Sequence, residues 1–133
     1  MRIIQKVALA IFKDKKIMLV RSRRKDEIFY TLGGKIKMGE SDLECLRREV
    51  YEEVGCTIDL DSLKFLHEFE GPAHGSKRIL NIRMYIGKLI GKPKISSEVF
   101  ELGYFDSNSP RKHLSEIAQK KIFPWLKKHG YIN

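Results

Sequence analysis

Glu49, Glu52 and Glu53 crowd together in a chain whose formal net charge is +9. Carboxylates this close repel one another, so they need either an offsetting positive charge or a chemical use. Residues 40–53 hold six acids against two bases, a local balance of −4 that leaves +13 for the rest of the chain. A basic surface attracts anions such as nucleotides, nucleic acid or acidic membrane, although solvated lysine accounts for much of the excess. An acidic spot inside that basic body suits a cation site that receives an anionic substrate. Oxygen-only ligands favour Mg2+ or Mn2+ over zinc, which prefers His and Cys.

The element carrying these acids is well signalled. Ser41-Asp-Leu-Glu44 reads as a capping box, and Gly55 stands where a left-handed terminating residue is wanted, so a helix is predicted from about Ser41 to Val54. On a helical wheel Leu43, Leu46, Val50 and Val54 form the core stripe. Glu49, Glu52 and Glu53 share one face, with Glu53 at the stripe's edge, while Glu44 and Arg48 point to solvent. Two readings stand on spacing alone. One is a solvated face laced by the i, i+4 pairs Glu44–Arg48 and Arg48–Glu52. It leaves the like-charged pair Glu49 and Glu53 without a basic partner on the helix. The other is a divalent-cation site.

The surrounding chain supplies a scaffold. Ile3–Phe12 and Lys16–Val20 are apolar runs around a Lys13-Asp14-Lys15 turn, which suggests a hairpin. A short strand is expected at Ile28–Leu32, broken by Gly33-Gly34, with others at Leu63–Phe69, Ile79–Ile90 and Leu102–Phe105. The tail from Pro110 to about Lys128 has helical spacing that Pro124 should kink or end near Phe123. Strands mixed with two helices in 133 residues point to one α/β domain over 1–133. Val7–Phe12 is too short to span a bilayer, and no cleavage pattern suggests export. Cys45 and Cys56 are too far apart along a helix to pair, so a reducing cytoplasm is expected.

At the acidic segment the chain resembles the Nudix box, G-x5-E-x7-R-E-U-x-E-E-x-G-U, where U is bulky and aliphatic. Here it runs Gly34, Glu40, Arg48, Glu49, Val50, Glu52, Glu53, Gly55 and Cys56; only Cys56 departs, at the last U. Leu32 stands where many members have Pro before the paired glycines. The resemblance implies a Nudix-type α/β/α sandwich with a mixed β-sheet between helices. It also implies metal-dependent hydrolysis of a nucleoside diphosphate linked to another group. Carried over by position, Glu49, Glu52 and Glu53 would ligate Mg2+ or Mn2+ with a carbonyl of Gly33 or Gly34. Arg48 would orient a glutamate, and Glu40 would support the site from its loop. The general base is either Glu98, in the later loop, or Glu52 or Glu53.

Arg21, Arg23 and Arg24 fall where similar enzymes contact phosphate; Lys35, beside the glycines, is a further substrate candidate. Of Phe29 and Tyr30, one should pack inward while Tyr30 offers a ring to stack on a base. His67 and His74 read as ordinary polar residues, and Trp125 as core. The favoured substrate is a nucleoside triphosphate, oxidised or not, giving a monophosphate and pyrophosphate. ADP-ribose, a dinucleoside polyphosphate or an RNA 5′ end are alternatives within the same chemistry. A non-catalytic nucleotide- or nucleic-acid-binding regulator is the alternative of another class. No membrane partner is expected, and the state is monomer or homodimer.

Overall fold

A computed structural model describes residues 3–22, 27–95 and 99–133. The continuous apolar run in strand β1 (Ile3–Ala10) makes sense once its neighbours are known. β1 lies inside the sheet, parallel to β6 (Ile79–Ile90) and antiparallel to β4 (Tyr30–Lys35). Successive side chains on a strand point to opposite faces. Val7 and Leu9 therefore enter one core, with Leu32, Leu46 and Val50, while Ala8 and Ala10 enter another, with Ile82, Ile117 and Phe123. A strand buried on both faces has no need of polar alternation.

Among the described residues the order is β2 (Phe12–Lys13), β3 (Lys16–Ser22), β4, β1, β6 and β5 (Thr57–Pro72), with β7 (Val99–Phe105) paired to β3. β2 joins β3 through Asp14 and Lys15, both at positive φ, as the expected hairpin turn requires. β5 is the sheet's outer strand, and its register with β6 shifts at Asp59/Lys64 and again at Phe65/His67. The acidic segment forms helix α1 (Asp42–Val54) over one face. The C-terminal segment covers the other face. The sheet is thus mixed and lies between helices, as the family resemblance implied.

Three local expectations need correction. Gly33-Gly34 does not break β4: the strand runs through to Lys35, with Gly33 opposite Ala8 and Gly34 opposite Val7. A Cβ on Gly33 would lie 2.0 Å from the Val7 carbonyl oxygen, so the missing side chain is what lets the strand pass. Strand β5 is also far longer than Leu63–Phe69, because pairing with the long β6 extends it at both ends. The C-terminal segment is not one helix. A 3-10 turn at Arg111–His113 is followed by a π-helical turn at Ala118–Ile122 and then α2 (Phe123–Lys128). Pro124 lacks an N–H and crowds the carbonyl four residues back. The chain widens just before it, where the Phe123 N–H reaches the Ala118 carbonyl five residues away.

Candidate active site

Helix α1 is fixed at both ends by its own sequence. The Ser41 hydroxyl accepts from Glu44 N at 3.1 Å, and the Glu44 carboxylate accepts from Ser41 N at 3.0 Å. Gly55 ends the helix at φ 70°, its N–H reaching the Tyr51 carbonyl. Glu44 is therefore occupied as a cap and forms no pair with Arg48 in this arrangement.

The packed side of α1 differs from the stripe drawn on the wheel. Cys45, Leu46, Val50 and Val54 are buried, whereas Leu43 is 37% exposed. With steps of about 100°, Glu49 and Glu53 fall between Cys45 and Leu46, inside the packed arc. The cause lies in β4. A Cβ on Gly34 would stand 2.6 Å from the Glu49 carboxyl carbon. Glycine there leaves a slot that a carboxylate enters. Next to it, the Gly33 N–H donates to Glu53 Oε1 at 3.0 Å.

Arg48 also lies inward, not toward solvent. Its Nε and Nη2 donate to the two oxygens of Glu40 at 2.7 and 2.9 Å, a forked pair that joins loop to helix. Nη1 donates to Glu49 Oε1 at 2.7 Å and stands 3.5 Å from Glu52 Oε2. So Glu49 does have a basic partner on the helix, its own neighbour. The forked bond from Arg48, assisted by the Lys37 N–H, holds the Glu40 carboxyl down at about 2 from an ordinary 4.5. The same bonds push the Arg48 guanidinium upward. Beneath them the Cys45 thiol points to the Gly34 and Lys35 carbonyls and is pushed up to about 11, chiefly by burial.

Two groups outside the motif hold the helix from the other end. Arg83 on β6 donates to both oxygens of Asp42, Nε at 2.8 Å and Nη2 at 2.7 Å, and the Tyr85 hydroxyl donates to Oδ2 at 2.7 Å. Arg83 holds the Asp42 carboxyl below its usual range, and burial followed by the Asp42 contact pushes Tyr85 up to about 12. Sequence reasoning missed these three. The available signal was spacing: Asp42 precedes Glu49 by seven residues and Glu53 by eleven, both near whole numbers of turns.

The three glutamates, with nearby backbone carbonyls, form an all-oxygen donor set that fits a hard divalent cation better than zinc. The side-chain-free slot at Gly34 brings strand backbone and the Glu49 carboxylate together, which also fits. In the arrangement described, however, Glu49 and Glu52 turn to Arg48 and Glu53 to the Gly33 N–H. No three acidic, His or Cys side chains among the described residues converge as a ready cage.

A cavity of about 800 Å³ opens beside this cluster, between the sheet and the C-terminal segment. Gly33, Gly34, Lys35 and Glu53 line one part of it, and Tyr30 and Lys6 another. Its size suits a nucleotide-sized ligand. Tyr30 is half-buried with Lys6 Nζ 5.7 Å from its ring centre, while Phe29 packs inward against Phe105 at 4.7 Å. Of the predicted site residues, Tyr30, Gly33, Gly34, Lys35 and Glu53 line the cavity, while Glu49 packs against Gly34 and joins Arg48 and Glu52 behind it. Arg21 does not line the cavity; it pairs with Glu101 and lies over Phe29. Arg23, Arg24 and Glu98 lie outside the described residues. His74 does line the cavity, and its Nδ1 accepts from Glu116 N at 3.3 Å. His67 and Trp125 stack on each other elsewhere, 4.3 Å apart.

A family model described as NUDIX domain matches residues 4–126, so the chain belongs to the NUDIX domain family. It is a hydrolase acting on phosphoric anhydride bonds. The family generally uses divalent metals and nucleotide substrates. Solved structures share the fold at low identity. A MutT NUDIX hydrolase from Burkholderia pseudomallei is 20% identical with a TM-score of 0.70, covering 91% of this chain and all of its own. A NUDIX hydrolase from Nitrosomonas europaea is 18% identical with a TM-score of 0.73, covering 98% and 93%. The E. coli ORF135 protein is 20% identical with a TM-score of 0.70, covering 97% and 94%. The curated proteins compared contain no match. No helix among the described residues is long and apolar enough to cross a membrane.

Proposed function

We propose that this hydrolase cleaves a nucleoside triphosphate, oxidised or not, to a nucleoside monophosphate and pyrophosphate with Mg2+ or Mn2+. The observation that carries this is the meeting of the glutamate cluster with the nucleotide-sized cavity at Gly33, Gly34 and Glu53. Glu49, Glu52 and Glu53, with a carbonyl of Gly33 or Gly34, hold the cation. When bound, it supplies charge neutralisation and Lewis acidity at the phosphate chain. The remaining work is positioning. Arg48 keeps Glu49 and Glu52 oriented, Lys35 meets phosphate and Tyr30 stacks on the base. Glu98, or else Glu52 or Glu53, takes the proton from the attacking water, and Arg23 offers a further phosphate contact, whereas Arg21 is engaged by Glu101 away from the cavity. Residues 1–133 act as one domain, as monomer or homodimer in the cytoplasm, and a single cooperative unfolding transition is the check on the domain count.

Pyrophosphate and phosphate release across a nucleotide panel, with Mg2+ and with chelator, tests the activity. Turnover of triphosphates with Mg2+, abolished by chelator, is expected. Faster turnover of ADP-ribose, a dinucleoside polyphosphate or a 5′-triphosphorylated RNA would move the substrate to that member. No turnover of any would favour the non-catalytic binder. Glu53→Gln should lower kcat by about 100-fold with the fold intact; near-normal turnover in it would sink the ligand assignment.

A further inference from the structure

Asp42, Glu49 and Glu53 lie within about 20° of one line along α1, roughly 10 Å and 16 Å from the first to the second and third. That line crosses the sheet obliquely. Its first carboxylate sits on β6, gripped by Arg83 and Tyr85, and its last two sit at the glycines of β4. The grip is directional. Arg83 offers both prongs of its fork, Tyr85 adds a third donor, and the Phe65 ring stands edge-on to Tyr85 at 5.4 Å. Arg83 and Asp42 side chains are 27% and 21% exposed, so solvent screens the pair only partly.

We propose that Arg83 and Tyr85 are positioning residues for catalysis, which set the rotation of α1 through Asp42 and so place Glu49 and Glu53. This rests on Glu49 and Glu53 being cation ligands, as argued above. A helix with side chains has a radius of about 5–6 Å, so a 20° rotation moves a carboxylate by about 2 Å. Displacements of about 1 Å can cost roughly 100-fold in rate. A pair whose purpose is stability can instead be exchanged for apolar side chains without loss. That difference makes the two roles separable.

The test compares Arg83→Lys, Tyr85→Phe and the double variant Asp42→Leu/Arg83→Met with wild type and Glu53→Gln. Measured are the melting temperature, kcat and KM, and binding of Mn2+ alone followed by the EPR signal of free ion. Arg83→Lys keeps the charge and loses the fork. We expect it, and the double variant, to keep a melting temperature within a few degrees of wild type. Both should lose about tenfold in kcat and in Mn2+ affinity, with KM little changed. Tyr85→Phe should show a smaller loss of the same kind. Folded variants that bind Mn2+ and turn over within about twofold of wild type would overturn the proposal. So would losses that vanish when rates are taken per folded molecule. If the double variant does not fold, Arg83→Lys and Tyr85→Phe decide the matter. Unchanged Mn2+ binding by Glu53→Gln would sink the ligand assignment itself; its loss there beside normal binding in Arg83→Lys would sink only the positioning role.

Discussion

α1 and the C-terminal segment cover opposite faces of one sheet, yet they are built on different rules. α1 is regular from cap to cap, and its polar groups are tied at Asp42, Arg48 and Glu53 to loop, strand and sheet. The C-terminal segment starts its π-helical turn on the Ser115 hydroxyl, which accepts from Ala118 N at 3.3 Å, and it changes winding twice before Lys128. Beyond a backbone bond from Phe29 N to the His113 carbonyl at 2.8 Å and one from Glu116 N to His74, its hold on the sheet is apolar: Ile117, Ala118, Ile122, Phe123 and Leu126 are buried. At its outer end Trp125 is stacked between His67 at 4.3 Å and His129 at 4.1 Å. The difference follows from what each must deliver. Charges act over distances where an ångström matters, so the element that bears them is pinned by directional bonds. A cavity wall needs volume and shape, which apolar packing supplies even where the backbone is irregular.

Three measurements can break or sharpen that contrast. Leu126→Ala removes a fully buried side chain that does not line the cavity, and should cost about 3 kcal/mol in denaturant unfolding. Well below its melting point kcat should stay close to wild type; a large loss of kcat would show that the C-terminal face positions chemistry after all. Ser41→Ala deletes the helix cap and should cost only about 1 kcal/mol. Because it loosens the end of α1 that Asp42 anchors, its kcat should nonetheless fall more than that of Leu126→Ala. The reverse ranking would erase the distinction between the two layers. The smallest effect is at Glu40. Its folded value of about 2 lies below the ordinary 4.5, so its contribution is complete above about pH 4.5 and is lost as pH falls toward 2. Carboxyl NMR should show no titration of Glu40 near 4.5; a midpoint there would mean the Arg48 fork is not formed in solution.

Much of the chemistry was legible because it is local. The capping box, the terminating glycine and the glutamate spacing all lie on one helix, where residue offsets convert directly into geometry. The errors arose where a second element decides. A wheel drawn for an isolated helix puts Leu43 in the core and Arg48 in solvent, because it cannot know that β4 offers two residues without side chains. The same glycines look like strand breakers by propensity, whereas here they make room for a neighbouring strand and for Glu49. Pro124 announced an interruption but not the wider turn that accommodates it. The Asp42–Arg83 contact joins residues 41 positions apart; helical spacing puts Asp42 in line with Glu49 and Glu53, but nothing local names its partner on β6.

The register shifts in β5 bear on the protein's behaviour in crowded solution. This long outer strand carries Leu60 and Phe65, each about half exposed, at the end of the strand order. A flat ribbon of that length and character would be a template for another chain to add a strand. The bulges at Asp59/Lys64 and Phe65/His67 break the even spacing of its outward N–H and C=O groups, so an incoming strand loses register after a few residues. Irregularity along that edge thus acts as a guard against fibrous self-association.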